Sequence, residues 1–263
     1  MLGKLLKYDF KAIFKYFLPM SVFLLFYSCL GTMLFSVDEN SSLSKHTINN
    51  ALTLFVIISF FLMVFTYLIV TQGIIVVGFY KSMVTDSAYL THTLPVSTLN
   101  LLLGKLISGS SIILLSYMTS TLSALIMFDI PSNAVRFQRE ITTTISLLRD
   151  ELHLQTLPIL IFSMIFAILS GLLFTLCTFF MCIAVGQLMH TRKVAGAFFT
   201  FIAIKIGIQL LSLLFGKDFV PSGSLLIPVM SKLFIQSSLF MAVYSAIMLF
   251  VIHYIFSHKL NLD

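Results

Sequence analysis

Residues 157–188 read LPILIFSMIFAILSGLLFTLCTFFMCIAVGQL and contain no Asp, Glu, Lys or Arg. A helix needs about 20 apolar residues to cross the roughly 30 Å hydrocarbon core of a bilayer, because each residue rises about 1.5 Å. The stretch exceeds that length. It therefore predicts a membrane-spanning helix that either tilts strongly or projects beyond the bilayer.

Five further apolar segments reach a spanning length, at residues 16–36, 51–80, 101–128, 194–215 and 236–256. The chain of 263 residues is 59% hydrophobic and 10% charged, whereas an ordinary soluble domain is about 25% charged. A soluble fold of this size could not bury so much apolar surface. We therefore predict an all-α, polytopic membrane protein: one transmembrane domain, residues 1–263, with six transmembrane helices.

Basic residues are distributed unequally between the two sides of these six spans. The side that holds both termini carries nine Lys and Arg against three Asp and Glu. The opposite side carries six against seven. Because cytoplasmic connections are enriched in Lys and Arg, both termini are predicted to be cytoplasmic.

The first fifteen residues have the pattern of an amphipathic helix. Their lysines recur every three or four residues, and apolar side chains fill another face. We predict a helix over residues 1–15 that lies in the membrane plane, with each lysine contributing about 1 kcal/mol near anionic headgroups. The alternative is a positively charged anchor with no further role. The lysines are Lys4, Lys7, Lys11 and Lys15.

Two connections on the outer side are long enough to have structure of their own. Residues 129–156 are predicted to form an extracellular loop with a short helix that follows Pro131. The alternative is a connection without any function beyond closure. Residues 216–235 carry Gly216, Pro221 and Pro228 around an apolar patch, which indicates an outer re-entrant or interfacial hairpin.

The cytoplasmic connection after the second span is the most informative part of the chain. Asp86 or Ser87 can cap a short helix, and Pro95 must end it near Leu94. Such a helix over residues 86–95 presents Tyr89, Leu90 and Leu94 as apolar anchors, the arrangement that a helix-in-groove contact needs. The alternative is a plain turn with incidental apolar residues.

One charge lies near the centre of a predicted span. Lys205 is about ten residues from either end of its segment, and Gln209 follows one turn later. A central lysine costs about 2.5–3.5 kcal/mol on insertion scales, so both side chains are predicted to line a passage through the protein. The alternative is a lysine that snorkels from a tilted or shifted span.

The remaining reactive side chains do not form a recognisable centre. Cys29, Cys177 and Cys182 all fall within apolar segments, at spacings that fit neither a zinc site nor a disulfide framework, so we expect buried, small apolar residues. The histidines are scattered, and His253 alone falls within a predicted span. The sequence therefore predicts no metal site and no catalytic residues.

Two blocks of residues resemble a known family. The first is Leu5-Leu6-Lys7-Tyr8-Asp9-Phe10-Lys11, and the second runs from Phe79-Tyr80-Lys81 through Asp86 and Tyr89-Leu90 to Thr93-Leu94-Pro95-Val96-Ser97, followed by Leu102 and Lys105. With the predicted topology, they make the chain similar to bacterial ABC transporter permeases of the type 2 exporter class, in particular the small stand-alone transmembrane subunits. The chain departs from that pattern at Ser87-Ala88, where an acidic residue and a glycine are expected.

The resemblance implies a permease subunit of an ATP-driven exporter in the bacterial plasma membrane. Residues 1–15 would be its amphipathic elbow helix. Residues 86–95 would be the coupling helix, in which Asp86, Tyr89, Leu90, Leu94 and Pro95 engage an ATPase. The implied partners are two ABC ATP-binding subunits, a second permease copy or a sister permease, and the lipid bilayer, with no nucleic acid. The implied cargo is an amphipathic peptide such as an antimicrobial peptide, a toxin or a lipid-like molecule.

The chain itself lacks the sequence of an ATPase. Gly104-Lys105 is followed by Leu106, and Leu99 stands where a Walker A motif has its first glycine. We therefore expect no enzyme activity and no cofactor in this chain, with ATP and Mg²⁺ bound by the partner subunit. The alternatives are a secondary transporter, or a non-catalytic membrane scaffold.

Overall fold

The protein is all-helical in the part of the chain that the structure describes. This structure is a computed structural model, and the residues described are 2–38, 46–84, 98–127, 142–143, 157–189, 193–215 and 226–258. Its six helices are α1 Leu2–Asp38, α2 His46–Met83, α3 Thr98–Met127, α4 Leu157–Gln187, α5 Lys193–Phe215 and α6 Leu226–His258.

Five of these six helices contain a stretch long and apolar enough to cross a bilayer. The stretches are Leu6–Met33, Leu54–Met83, Thr98–Met127, Pro158–Gln187 and Ser231–His258. The apolar stretch of α5, Val194–Leu210, is shorter. The chain is thus a multi-pass, helical membrane protein. The segment at residues 157–188 is predicted to be longer than the bilayer core is thick, and the 31 residues of α4 do extend about 46 Å. The 38 residues of α2 extend about 57 Å.

The first helix differs from its prediction, because residues 1–15 and the span that follows are not separate. From Leu2 to Asp38 they form one helix, with Pro19 inside it. Proline has no amide hydrogen, so the carbonyl of Lys15 lacks the partner it would have in an unbroken helix. That position is close to the predicted boundary between the amphipathic segment and the first span.

The last helix begins earlier than predicted, at Leu226 rather than at residue 236. Half of the segment assigned to an outer hairpin is therefore the start of α6, while residues 216–225 lie outside the described part. Pro228 is the reason for the difference. It falls in the first turn of the helix, where the missing amide hydrogen has no intrahelical partner to lose.

The outer surface of the helices is apolar, whereas many of the buried positions are small and polar. Phe250 is 72% exposed, Phe162 69% and Phe55 68%. A water-soluble protein would not leave such large apolar side chains uncovered on every helix. In a bilayer these side chains contact lipid, which agrees with the membrane assignment.

Buried serines recur at intervals of seven residues on four of the helices. Each hydroxyl bonds to a carbonyl of its own helix, as Ser163 Oγ does to Leu160 at 2.7 Å and Ser245 Oγ to Ala242 at 2.8 Å. Their main contribution is therefore small size, which allows membrane helices to approach closely. The pairs are Ser21 and Ser28, Ser116 and Ser123, Ser163 and Ser170, and Ser238 and Ser245.

The helices contribute to two compact units. The first comprises Met1–Leu6, Val76–Ser110 and Ile145–Asp263, and the second comprises Lys7–Ile75 and Ser111–Thr144. In the first unit, α4 packs against both α5 and α6. Gly196 of α5 lies over α4 at Gly186, where a Cβ at position 196 would be 3.4 Å from the Gly186 Cα. A Cβ at position 196 would also lie 2.5 Å from Met189 Sδ, so the absence of a side chain at Gly196 allows α5 to lie close to the end of α4.

In the second unit, polar contacts join α1, α2 and α3. Tyr67 of α2 and Thr119 of α3 share a hydrogen bond of 2.7 Å between their hydroxyl oxygens. The Thr32 hydroxyl of α1 is shared between the carbonyl of Ser28 in its own helix, at 2.9 Å, and the carbonyl of Ile126 in α3, at 3.0 Å. Hydrogen bonds of this kind between membrane helices contribute about 0.6 kcal/mol on average. They fix the register of the three helices where apolar packing alone would allow sliding.

Candidate functional site

The connection between α2 and α3 carries the predicted coupling residues. Asp86, Tyr89, Leu90, Leu94 and Pro95 all lie outside the described residues. Both flanks of this connection are described. At the first flank, the amide of Val84 donates to the carbonyl of Tyr80 at 3.0 Å, which continues the helical hydrogen bonding of α2. At the second, α3 begins at Thr98.

A buried aromatic cluster holds the end of α2. The ring of Phe79 stacks on that of Phe180 of α4, with centroids 3.8 Å apart and an interplanar angle of 8°. Phe256 of α6 meets Phe79 edge-on, with centroids 6.1 Å apart and an angle of 78°. All three side chains are at most 4% exposed. The last turns of α2 are thus anchored to two other helices through one side chain.

A hydrogen bond holds the start of α3. Thr98 Oγ1 lies 3.1 Å from Nδ1 of His253 on α6. The hydroxyl can donate to Nδ1 or accept from its N–H, and the tautomer of the imidazole decides which of the two groups is the donor. His253 and Phe256 are three residues apart on the same face of α6. The end of α6 therefore contacts both flanks of the connection.

Lys205 and Gln209 of α5 are both exposed, and they lie one turn apart on one face of the helix. The Lys205 ammonium is 5.5 Å from the centroid of the Phe201 ring, within cation–π range. Phe201 is in turn parallel to Phe179 of α4, with centroids 6.2 Å apart and an angle of 9°. The rings orient the lysine at the edge of an apolar face that includes Phe198, Ile202 and Ile206.

The lysines of the N-terminal segment have the exposure that their spacing predicts. Lys7, Lys11 and Lys15 are all exposed, while the side chain of Lys4 lies outside the described set. Lys15 also lies 5.9 Å from the ring centroid of its neighbour Tyr16. The three cations therefore lie along one side of the first four turns of α1, away from the packed interior.

The cysteines follow the prediction at two positions of three. Cys177 and Cys182 of α4 are buried, but Cys29 of α1 is exposed. Within the described ranges there is no disulfide, and no group of three or more His, Cys, Asp or Glu residues could hold a metal ion. The described contacts around the α2–α3 connection are aromatic packing and one hydrogen bond.

No protein-family model, curated protein or solved structure matches this chain. The resemblance to ABC permeases accordingly rests on the two blocks of residues around Tyr8 and Tyr89 and on the predicted topology.

Two features of the site were missed in the sequence. One is the bond between Thr98 and His253, which joins residues 155 positions apart and leaves no local pattern. The other is the set of serines at seven-residue intervals. An interval of seven residues corresponds to two turns of 3.5 residues each. This interval is visible in the sequence, and it identifies the packed face of the four helices that carry a serine pair.

Proposed function

We propose that this protein is the transmembrane permease subunit of an ATP-driven exporter, and that it uses separate ATP-binding subunits as its source of energy. The proposal adds four assignments to the description of the chain as a multi-pass membrane protein. It assigns six spans with both termini in the bacterial cytoplasm, an elbow at residues 1–15, and a coupling helix at residues 86–95. It also assigns an amphipathic peptide, toxin or lipid-like cargo.

The observation that supports the proposal most is the anchoring of both flanks of residues 85–97. A plain loop between two spans has no need of fixed ends. A segment that receives force from an ATPase does, because a soft attachment would absorb the movement before it reached the spans. Phe79 and Thr98 provide two attachments of different chemistry, one by aromatic packing and one by a hydrogen bond.

The lysine pattern of α1 supports the elbow. Lys7, Lys11 and Lys15 are exposed, and Pro19 leaves one carbonyl without its helical partner immediately after them. Such a position is where a helix bends most readily, so residues before it can lie along the headgroups while the rest crosses the bilayer. The lysines would then face anionic lipid.

The exposed side chains of α5 support the assignment of a passage for the cargo. A lysine that faces lipid near mid-span is costly, whereas one that faces a second permease copy or a wet passage is not. We assign Lys205 and Gln209 to the wall of a passage between two permease copies. The exposed Phe198, Ile202 and Ile206 around them suit an amphipathic cargo, which presents both polar and apolar groups.

Copurification tests this function directly. The tagged chain is crosslinked in its native membranes and purified, and bound proteins are identified by mass spectrometry. We expect an ATP-binding protein with Walker A and ABC signature motifs. The double variant Tyr89→Ala with Leu94→Asp should lose this ATP-binding protein at unchanged membrane expression, because the sequence predicts both side chains in the cytoplasmic connection, outside the hydrocarbon. Tyr8→Ala, which changes an exposed tyrosine of α1, should retain it. If the ATP-binding protein were recovered equally with the unaltered chain, the double variant and Tyr8→Ala, residues 86–95 would have no part in the mechanism.

A further inference from the structure

The C-terminal end of α6 contacts two other helices at their ends. His253 reaches the first residue of α3 through the hydrogen bond of 3.1 Å to Thr98. Phe256 reaches the last turns of α2 through its edge-on contact with Phe79. The helix ends thus joined to α6 are consecutive in the chain, since α3 follows α2.

We infer that the end of α6, residues 252–258, is a positioning element that keeps the end of α2 and the start of α3 in fixed register and makes both move together with α6. His253 is its positioning residue. The inference rests on the proposed function in one respect, namely that force enters through the chain between α2 and α3.

The two contacts differ in how they respond to displacement. A hydrogen bond weakens steeply as its distance and angle depart from the optimum, so a shift of about an ångström at the start of α3 breaks the bond between Thr98 and His253 unless His253 follows. Close-packed rings resist compression, so the end of α2 cannot move toward α6 without displacing Phe256. Their neighbours Ile252 and Ile255 are also buried, which leaves α6 little freedom to yield locally. Movement at either flank is therefore transmitted to α6.

The hydrogen bond involves one identified atom of the imidazole, and this makes the inference testable at atomic level. The side-chain amide of asparagine occupies nearly the position of Nδ1, whereas that of glutamine occupies nearly the position of Nε2. A contact through Nδ1 therefore survives His253→Asn and fails in His253→Gln. A residue that merely fills space would tolerate glutamine, which is closer to histidine in size, better than asparagine.

Hydrogen–deuterium exchange of the chain alone, in nanodiscs, provides the first test. Peptides covering residues 98–106 should exchange about fivefold faster in His253→Gln and in Thr98→Val, the factor expected for one hydrogen bond of ordinary strength. In His253→Asn and in Thr98→Ser, the same peptides should exchange at the rate of the unaltered protein. Equal rates in all five proteins, or faster exchange in the asparagine variant than in the glutamine variant, would overturn the inference.

The second test uses the complex with the ATPase subunit that copurifies. A spin label at position 257, which is exposed, reports the movement of α6. ATP should change its signal in the otherwise unaltered protein and in His253→Asn. The change should be lost in His253→Gln while ATP hydrolysis continues. A label that never responds to ATP would refute transmission through α6. Failure of any ATPase to copurify would refute the proposed function instead, and the exchange result would stand independently.

Discussion

Replacing Phe79 by alanine removes the side chain that joins α2 to α4 and α6. The ring is 1% exposed, it stacks on Phe180 at 3.8 Å, and its edge contact with Phe256 completes the cluster. The substitution leaves a cavity lined by two rings that remain fixed by their own helices. Those rings cannot collapse into the space without shifting α4 or α6, so most of the cavity persists.

The size of the effect follows from what is lost. A buried Phe→Ala change costs about 3–5 kcal/mol in water-soluble proteins, and part of that is transfer from water. In a bilayer the separated helices are in lipid, so the transfer part is small and the lost packing and ring contacts remain. We therefore expect a loss of about 2–3 kcal/mol in the free energy of unfolding. At about 2–4 °C per kcal/mol, the melting temperature should fall by roughly 5–10 °C.

The assay is thermal unfolding in detergent, followed by size-exclusion chromatography of the fluorescently tagged protein. Phe65→Ala is the matched control, because Phe65 is on the same helix and is 66% exposed. It loses the same atoms from a lipid-facing surface and should change the melting temperature by no more than a degree or two. Equal shifts in the two variants would refute the reasoning, since they would mean that the stacked cluster contributes nothing beyond ordinary apolar contact.

Three further predictions concern other contacts. Gly31→Ala should be less stable than Gly73→Ala by about 1–3 kcal/mol, because a Cβ at position 31 overlaps the buried Met127 side chain while position 73 has open space and the gain in helix propensity is the same. Tyr67→Phe should lose about 0.6 kcal/mol with its bond to Thr119, measured by the same unfolding assay. Lys205→Leu should make the free energy of membrane insertion more favourable by up to about 2.5–3.5 kcal/mol on translocon scales. The same substitution should abolish transport.

Each of these predictions has an outcome that contradicts it. Equal stability of the two glycine variants would mean that α1 and α3 do not approach closely at Gly31. If neither Tyr67→Phe nor Thr119→Val changed the free energy of unfolding, the hydrogen bond between these two hydroxyls would not set the register of α2 and α3. Transport that survives Lys205→Leu, with substrate-stimulated ATP hydrolysis unaltered, would remove Lys205 from the passage.

The helices could be predicted from the sequence because apolar runs of spanning length are a strong signal in a chain with so few charges. Their ends were harder to predict. Pro228 read as a helix breaker, although a proline in the first turn is compatible with a helix that starts before it. The amphipathic pattern of residues 1–15 does not by itself place a break after it, and these residues continue into the span as one helix.

The contacts between helices were mostly beyond prediction. Phe79 and Phe180 are two of 27 phenylalanines, and nothing local in the sequence pairs them. The bond from Thr98 to His253 depends on how α3 and α6 are placed in three dimensions. The exception is the seven-residue spacing of serines such as Ser163 and Ser170, because small residues at that interval indicate the packed face of a membrane helix.

ATP hydrolysis by the purified chain, measured alone and with the copurified ATP-binding subunit, tests the central claim most directly, with native mass spectrometry of the same samples to give the stoichiometry. We expect no hydrolysis by the chain alone, and hydrolysis by a complex of two permease subunits and two ATP-binding subunits. Sustained ATP hydrolysis by the single chain, or transport by that chain in vesicles without any ATPase, would show that the chain is not a permease subunit driven by a separate ATPase.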